Sequence, residues 1–244
     1  MEPKGTVRLA GEIVGDGGSI AAGGEGNGAL AANITIEDTA ETGAFIVAPT
    51  GVVTLDGGGS GGVGTAGGGG HFTVRTLDGD MSMGGTLNAR GGAARDPGGS
   101  GGLGGMVYLF SDNNHNAVDV GKGNLLITPS GKLDASGGDG GIGGSARNDG
   151  SDWVANFPDD QEQIAIFLNC DGQHGETRNW MENDGILIAR GGVHNGNGGD
   201  IVYHGIGPGQ RSMPTDGSGN HHPPPGNQDM AADGTGMPGA YGGE

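Results

Sequence analysis

An eight-residue pattern, G-x-h-x-(A/L)-x-G-G with h aliphatic, recurs along this chain and constrains its fold more than any other feature. "GVVTLDGG" runs from Gly51 to Gly58, "GTLNARGG" from Gly85 to Gly92, "GKLDASGG" from Gly131 to Gly138 and "GILIARGG" from Gly185 to Gly192. A shorter copy, "GSIAAGG", runs from Gly18 to Gly24. A short unit repeated between variable loops is the signature of a stacked architecture, in which each unit buries its apolar face against the next.

Within each copy apolar and polar residues alternate, which is the period of a strand with one buried face. Val53, Leu87, Leu133 and Leu187 are expected to point inward, followed by Leu55, Ala89, Ala135 and Ala189. Thr54, Asn88, Asp134 and Ile188 are expected to point outward, as are Asp56, Arg90, Ser136 and Arg190. A glycine tract and a second apolar run follow each copy: "HFTVRTL" at His71, "GMVYLF" at Gly105, "IAIFL" at Ile164 and "DIVYH" at Asp200. A third run, "AFIVAP" at Ala44 or "NLLITP" at Asn124, precedes some copies. Glycine everywhere argues against helices. The predicted fold is all-β, a short parallel β-solenoid with layered glycine-rich segments of polyproline-II type.

The glycine tracts keep a period of three. Glycine stands at Gly58, Gly61, Gly64, Gly67 and Gly70, and in pairs at Gly137–Gly138, Gly140–Gly141 and Gly143–Gly144. Three residues per turn is the polyproline-II repeat, and only glycine fits where such helices pack closely. Eight residues at about 3.1 Å each span about as far as a strand of equal length. Each tract is therefore predicted to carry the chain back along the strand it follows. The alternative is a set of loose loops, since ordering glycine is entropically costly.

The segments "LNARGGAARDPGGSGGLGGMVYLF" and "LDASGGDGGIGG" resemble the glycine-rich parallel β-solenoid repeats of large bacterial surface and secreted proteins. The period-three tracts are similar to those of glycine-rich insect antifreeze proteins and of some bacteriophage adhesin tips, which pack polyglycine-II helices. The resemblance covers about residues 5–205. It implies a stacked fold and an extracellular or cell-surface setting.

Low aliphatic content with a net charge of −18 is a composition associated with disorder. Clustering of the apolar residues in short runs argues for folding over residues 1–204 instead. The acidic balance disfavours nucleic acid, whose phosphates it would repel. No stretch approaches a membrane span, and the start "MEPKGTVRLAG" shows no signal-peptide core. Cys170 is alone, so no internal disulfide is expected. Residues 205–244 hold six of the eleven prolines and no apolar run, and read as an extended tail. A short solenoid has open ends that need a partner. The tail is accordingly expected to cross a subunit boundary, and the protein to be an extracellular structural or adhesive module that is its own partner, as a homo-oligomer or filament.

Four chemistries compete with that reading. Asp56, Asp78, Asp80, Asp134 and Asp139 sit beside glycine turns and are candidate calcium ligands, or simply solvated turn residues. Asp159, Asp160, Glu162 and Glu176, with Trp153 and Trp180, could serve a carbohydrate-binding or polysaccharide-degrading solenoid. His174 or the His221–His222 pair could bind a metal. Ice binding needs a regular outward array, and Thr54, Asn88, Asp134 and Ile188 do not form one.

Overall fold

The computed structural model describes residues 5–38, 43–76, 79–111, 123–147, 164–170, 181–194, 196, 198–199, 201–204 and 228–231. All the regular elements among them are strands, arranged as successive coils of three. The first coil holds β1 (Val7–Leu9), β2 (Glu12–Val14) and β3 (Ile34–Asp38). The second holds β4 (Phe45–Val47), β5 (Val52–Thr54) and β6 (His71–Thr76), and the third β7 (Met81–Met83), β8 (Thr86–Asn88) and β9 (Met106–Phe110). The fourth holds β10 (Leu125–Ile127), β11 (Lys132–Asp134) and β12 (Ile166–Asn169), and the fifth β13 (Met181–Asn183), β14 (Ile186–Ala189) and β15 (Ile201–His204). One more strand, β16 (Gln228–Ala231), lies beyond them.

Equivalent strands pair in parallel across coils and build three sheets: β1-β4-β7-β10-β13, β2-β5-β8-β11-β14 and β3-β6-β9-β12-β15. The fold is the parallel β-solenoid that the repeat predicts. Leu133 stands in register with Leu87 on one side and Leu187 on the other, and the column continues through Val53 to Ile13. Leu87, Leu133 and Leu187 are completely buried, as are Leu55, Ala89, Ala135 and Ala189. Burying a leucine side chain contributes about 1.5–3 kcal/mol. Repetition of that column in every coil is what lets strands this short hold together.

Two sequence expectations change. The first copy of the pattern is "GEIVGDGG", Gly11 to Gly18, because Ile13 pairs with Val53 and the Asp56 amide donates to Asp16 Oδ1 at 2.9 Å. Gly15 takes the second inward position there, and a Cβ on it would meet Leu55 Cδ2 at 2.7 Å. The column at this site goes from leucine to nothing in one step, which hid the copy. Asp134 is also not exposed: it points outward but is only 6% accessible. Ser136 Oγ donates to it at 2.7 Å and Lys132 Nζ lies 3.3 Å away, so neighbouring polar groups cover it. Asn88, next to it in the same column, is half-buried rather than exposed.

The two ends of the stack differ. Val7, Leu9, Ile13, Ile34 and Ile36 of the first coil face the core but are only partly buried. Met181, Leu187, Ala189 and Ile201 of the last coil are fully buried. β16 pairs antiparallel with β14 along that end, with Leu187 opposite Met230. The described part of the tail thus lies on its own chain's last coil.

Candidate functional site

The glycine tracts are arms, not single returns. After β5 the chain runs out through Gly57 to Gly61, turns at Gly62 with φ 59°, and comes back from Gly64 to Gly70. The amides of Gly64, Gly67 and Gly70 donate to the carbonyls of Gly61, Gly58 and Leu55 at 3.2, 2.8 and 2.8 Å. Each other coil repeats this hairpin: Ala29 to Gly18, Gly102 to Gly92, Gly144 to Gly138 and Gly196 to Gly192. The expectation that a tract simply retraces its strand is corrected accordingly. A tract long enough to retrace a strand is also long enough to go halfway out and come back.

Arms of successive coils bond to one another. One line of hydrogen bonds runs the length of the stack, each amide donating to the carbonyl of the next residue named: Gly196, Gly192, Gly144, Gly138, Gly102, Gly92, Gly67, Gly58, Ala29 and Gly18, at 2.8–3.1 Å. It zigzags between outgoing and returning legs, and every donor points toward the N-terminal end. Aligned chains of this kind polarise and strengthen one another. Other amides bond along the layers in the opposite sense, as Gly57 to Arg90, Gly91 to Ser136 and Gly137 to Arg190, or Gly69 to Leu103 and Gly104 to Ser145. The period of three follows: within a leg, one residue bonds across to the partner leg, one bonds along the layer, and one faces out.

The lattice demands glycine for space. A Cβ on Gly137 would stand 1.9 Å from the Gly144 carbonyl oxygen, on Gly144 1.9 Å from that of Gly102, and on Gly143 2.2 Å from that of Val193. On Gly141 it would meet the Pro97 oxygen at 1.6 Å, and on Gly140 the Gly101 nitrogen at 2.6 Å. All these neighbours are backbone, which cannot swing aside. Left-handed backbone is not the reason: among the described residues the positive-φ glycines are Gly23, Gly26, Gly62 and Gly123.

Outward positions of the arms carry side chains. Leu30, Val63, Leu103, Ile142 and Val193 are exposed there. Polar side chains clip one coil to the next by accepting the following coil's amide: Asn27 from Thr65, Asp96 from Gly62 in the reverse sense, and Ser136 Oγ from Arg190.

The aspartates singled out in the sequence do the same work at separate places. Asp56 accepts the Arg90 amide at 2.9 Å and pairs with the Arg90 guanidinium. The side-chain hydrogen bond from the Arg90 guanidinium to Asp56 raises the Arg90 pKa above its ordinary value, against desolvation. Both side chains are part-exposed, so the ion pair contributes about 0.2–1 kcal/mol. Asp80 accepts the amide and side-chain nitrogen of Asn124, Asp139 accepts the Val193 amide at 2.9 Å, and Asp134 is held by Ser136. Asp78 lies outside the described residues. Among the described residues no three His, Cys, Asp or Glu side chains gather as a metal site. Asp159, Asp160, Glu162, Glu176, Trp153, Trp180, His174, His221 and His222 also lie outside the described residues.

Sequence reasoning missed a second core. Met106, Tyr108, Phe110, Ile164 and Phe167 form a buried cluster separate from the main one, with Tyr108 and Phe110 ring centroids 6.3 Å apart and Phe110 and Phe167 5.4 Å apart. Tyr108 and Phe167 share a register position on the outward side of β9 and β12. The Arg75 guanidinium lies 5.3 Å from the Phe110 ring centroid, a cation–π contact. A signal existed: "MVYLF" and "IAIFL" are unbroken apolar runs, the mark of strands buried on both faces.

These features define a short, three-sheeted parallel β-solenoid with hydrogen-bonded glycine arms. No family model, curated protein or solved structure matches the chain. Among the described residues no helix is long and apolar enough to cross a membrane.

Proposed function

We propose that this protein is an extracellular structural or adhesive module that associates with copies of itself. The observation that carries the reading is the unfinished first coil. Val7, Leu9, Ile13, Ile34 and Ile36 face the core yet stay part-exposed, on three strands whose outer edge pairs with no other described strand. Open edges and part-covered apolar columns are partner sites in stacked folds. The arms add a stiff surface: their backbone groups bond to each other, which leaves the outward side chains free for contact. A charge of −18 suits a strongly solvated setting.

The test is sedimentation velocity of the full chain over a wide concentration range, with electron microscopy, beside binding and hydrolysis assays on a polysaccharide panel. Reversible growth with concentration is expected. A single non-associating species that releases reducing sugar would overturn the reading in favour of a polysaccharide-degrading solenoid.

A further inference from the structure

We infer that copies stack head to tail, the first coil of one on the last coil of the next, and that β16 is a removable cap on that junction. The inference rests on the self-association proposed above and specifies its surface.

Charge along the register columns supports it. Arg8 and Glu182 occupy opposite ends of one outward column, Arg8-Ile46-Ser82-Leu126-Glu182. A neighbour continuing this ladder sets its Arg8 on Glu182. Asp16 and Arg190 end the column through Asp56, Arg90 and Ser136, whose members are clipped coil to coil. Continuation there sets an acid on an arginine, as Asp56 already meets Arg90. At the first coil's end of the third sheet, Glu37 pairs with Arg75 at 3.1 Å. The first two sheets therefore present opposite charge at their two ends. Contact between two first coils would instead bring together Glu12, Asp16 and Glu37 with the same acids. Complementary charge selects the head-to-tail arrangement.

Backbone and apolar groups agree. The sheets are parallel throughout the stack, so a copy added in the same sense extends the same ladder. Ile13 would follow Leu187, and Val14, 60% exposed, would follow Ile188. A heterologous contact of this kind does not close on itself, so it yields rods. β16 already adds a strand to the β14 edge, in the antiparallel sense unique to it among the strand pairs described. It thus occupies the place that a neighbour's β2 requires, and assembly needs it to leave.

The experiment uses the full chain. Asp229→Pro/Met230→Pro removes ladder donors from β16. This variant is expected to form rods at lower concentration than the parent, growing by about 24 Å per copy, five coils at strand spacing. Arg8→Glu added to it should raise the concentration needed about tenfold, and Arg8→Glu with Glu182→Arg should restore it. Circular dichroism of every variant confirms that the solenoid is folded. Assemblies indifferent to Arg8→Glu would overturn the junction while leaving self-association standing. Folded variants that never assemble would overturn both.

Discussion

The carbonyl oxygen of Gly92 lies 1.8 Å from the point where a Cβ on Gly138 would stand. The Gly138 amide meanwhile donates to Gly102 at 2.9 Å, and the Gly138 carbonyl accepts from Gly144 at 2.8 Å. One residue is thus fixed by backbone on three sides. Gly138→Ala is expected to destabilise the fold by at least about 1–3 kcal/mol, the ordinary range for overpacking. Gly18 has the same place in the first copy, where among the described residues nothing but its own chain neighbours lies within 4 Å of its Cβ position. Gly18→Ala should change stability by no more than about 0.5 kcal/mol. Thermal melting of the two variants checks this; equal effects would mean that the arms are not packed.

Leu133→Ala should cost about 2–5 kcal/mol. The side chain is fully buried between Leu87 and Leu187, and both neighbours are fixed by parallel pairing. Collapse around the vacated space is therefore limited. Urea denaturation measures the loss, and a loss below about 1 kcal/mol would deny the column its place in the core.

Asp139 tests whether the turn acids act as clips. Its carboxylate accepts the Val193 amide across the coil boundary. Asp139→Asn keeps an acceptor and should be near neutral, while Asp139→Ala should cost about 1 kcal/mol. The cost should be equal in excess calcium and in excess chelator. An Asp139→Ala penalty present only with calcium would make the residue a metal ligand instead.

The repeat made the inward columns legible because their residues obey a period of two and recur in register. Other parts failed for identifiable reasons. "MSM" and "MEN" form β7 and β13, yet three residues carry too little alternation to stand out. Gly15 broke the first copy by placing no side chain where the others have Leu or Ala. The glycine period announced close packing of extended legs, but composition alone does not encode whether a tract returns once or folds back on itself. The second coil's arm turns at Gly62 with positive φ, while the arms of the third and fourth coils turn without any positive-φ residue, so no single residue type marks the reversal. Outward burial of Tyr108, Phe110 and Phe167 was readable from unbroken apolar runs, and was obscured by the expectation of one buried face.

The arms are an ordered hydrogen-bonded lattice continuous with the strands, and amide hydrogen exchange measures that continuity. The Gly67, Gly102, Gly138 and Gly144 amides all donate within the axial line. They should exchange as slowly as the Leu133 amide of β11, opening only with global unfolding. Exchange of those glycines at unprotected rates, with Leu133 still protected, would contradict the account and reduce the arms to loops hung on a solenoid.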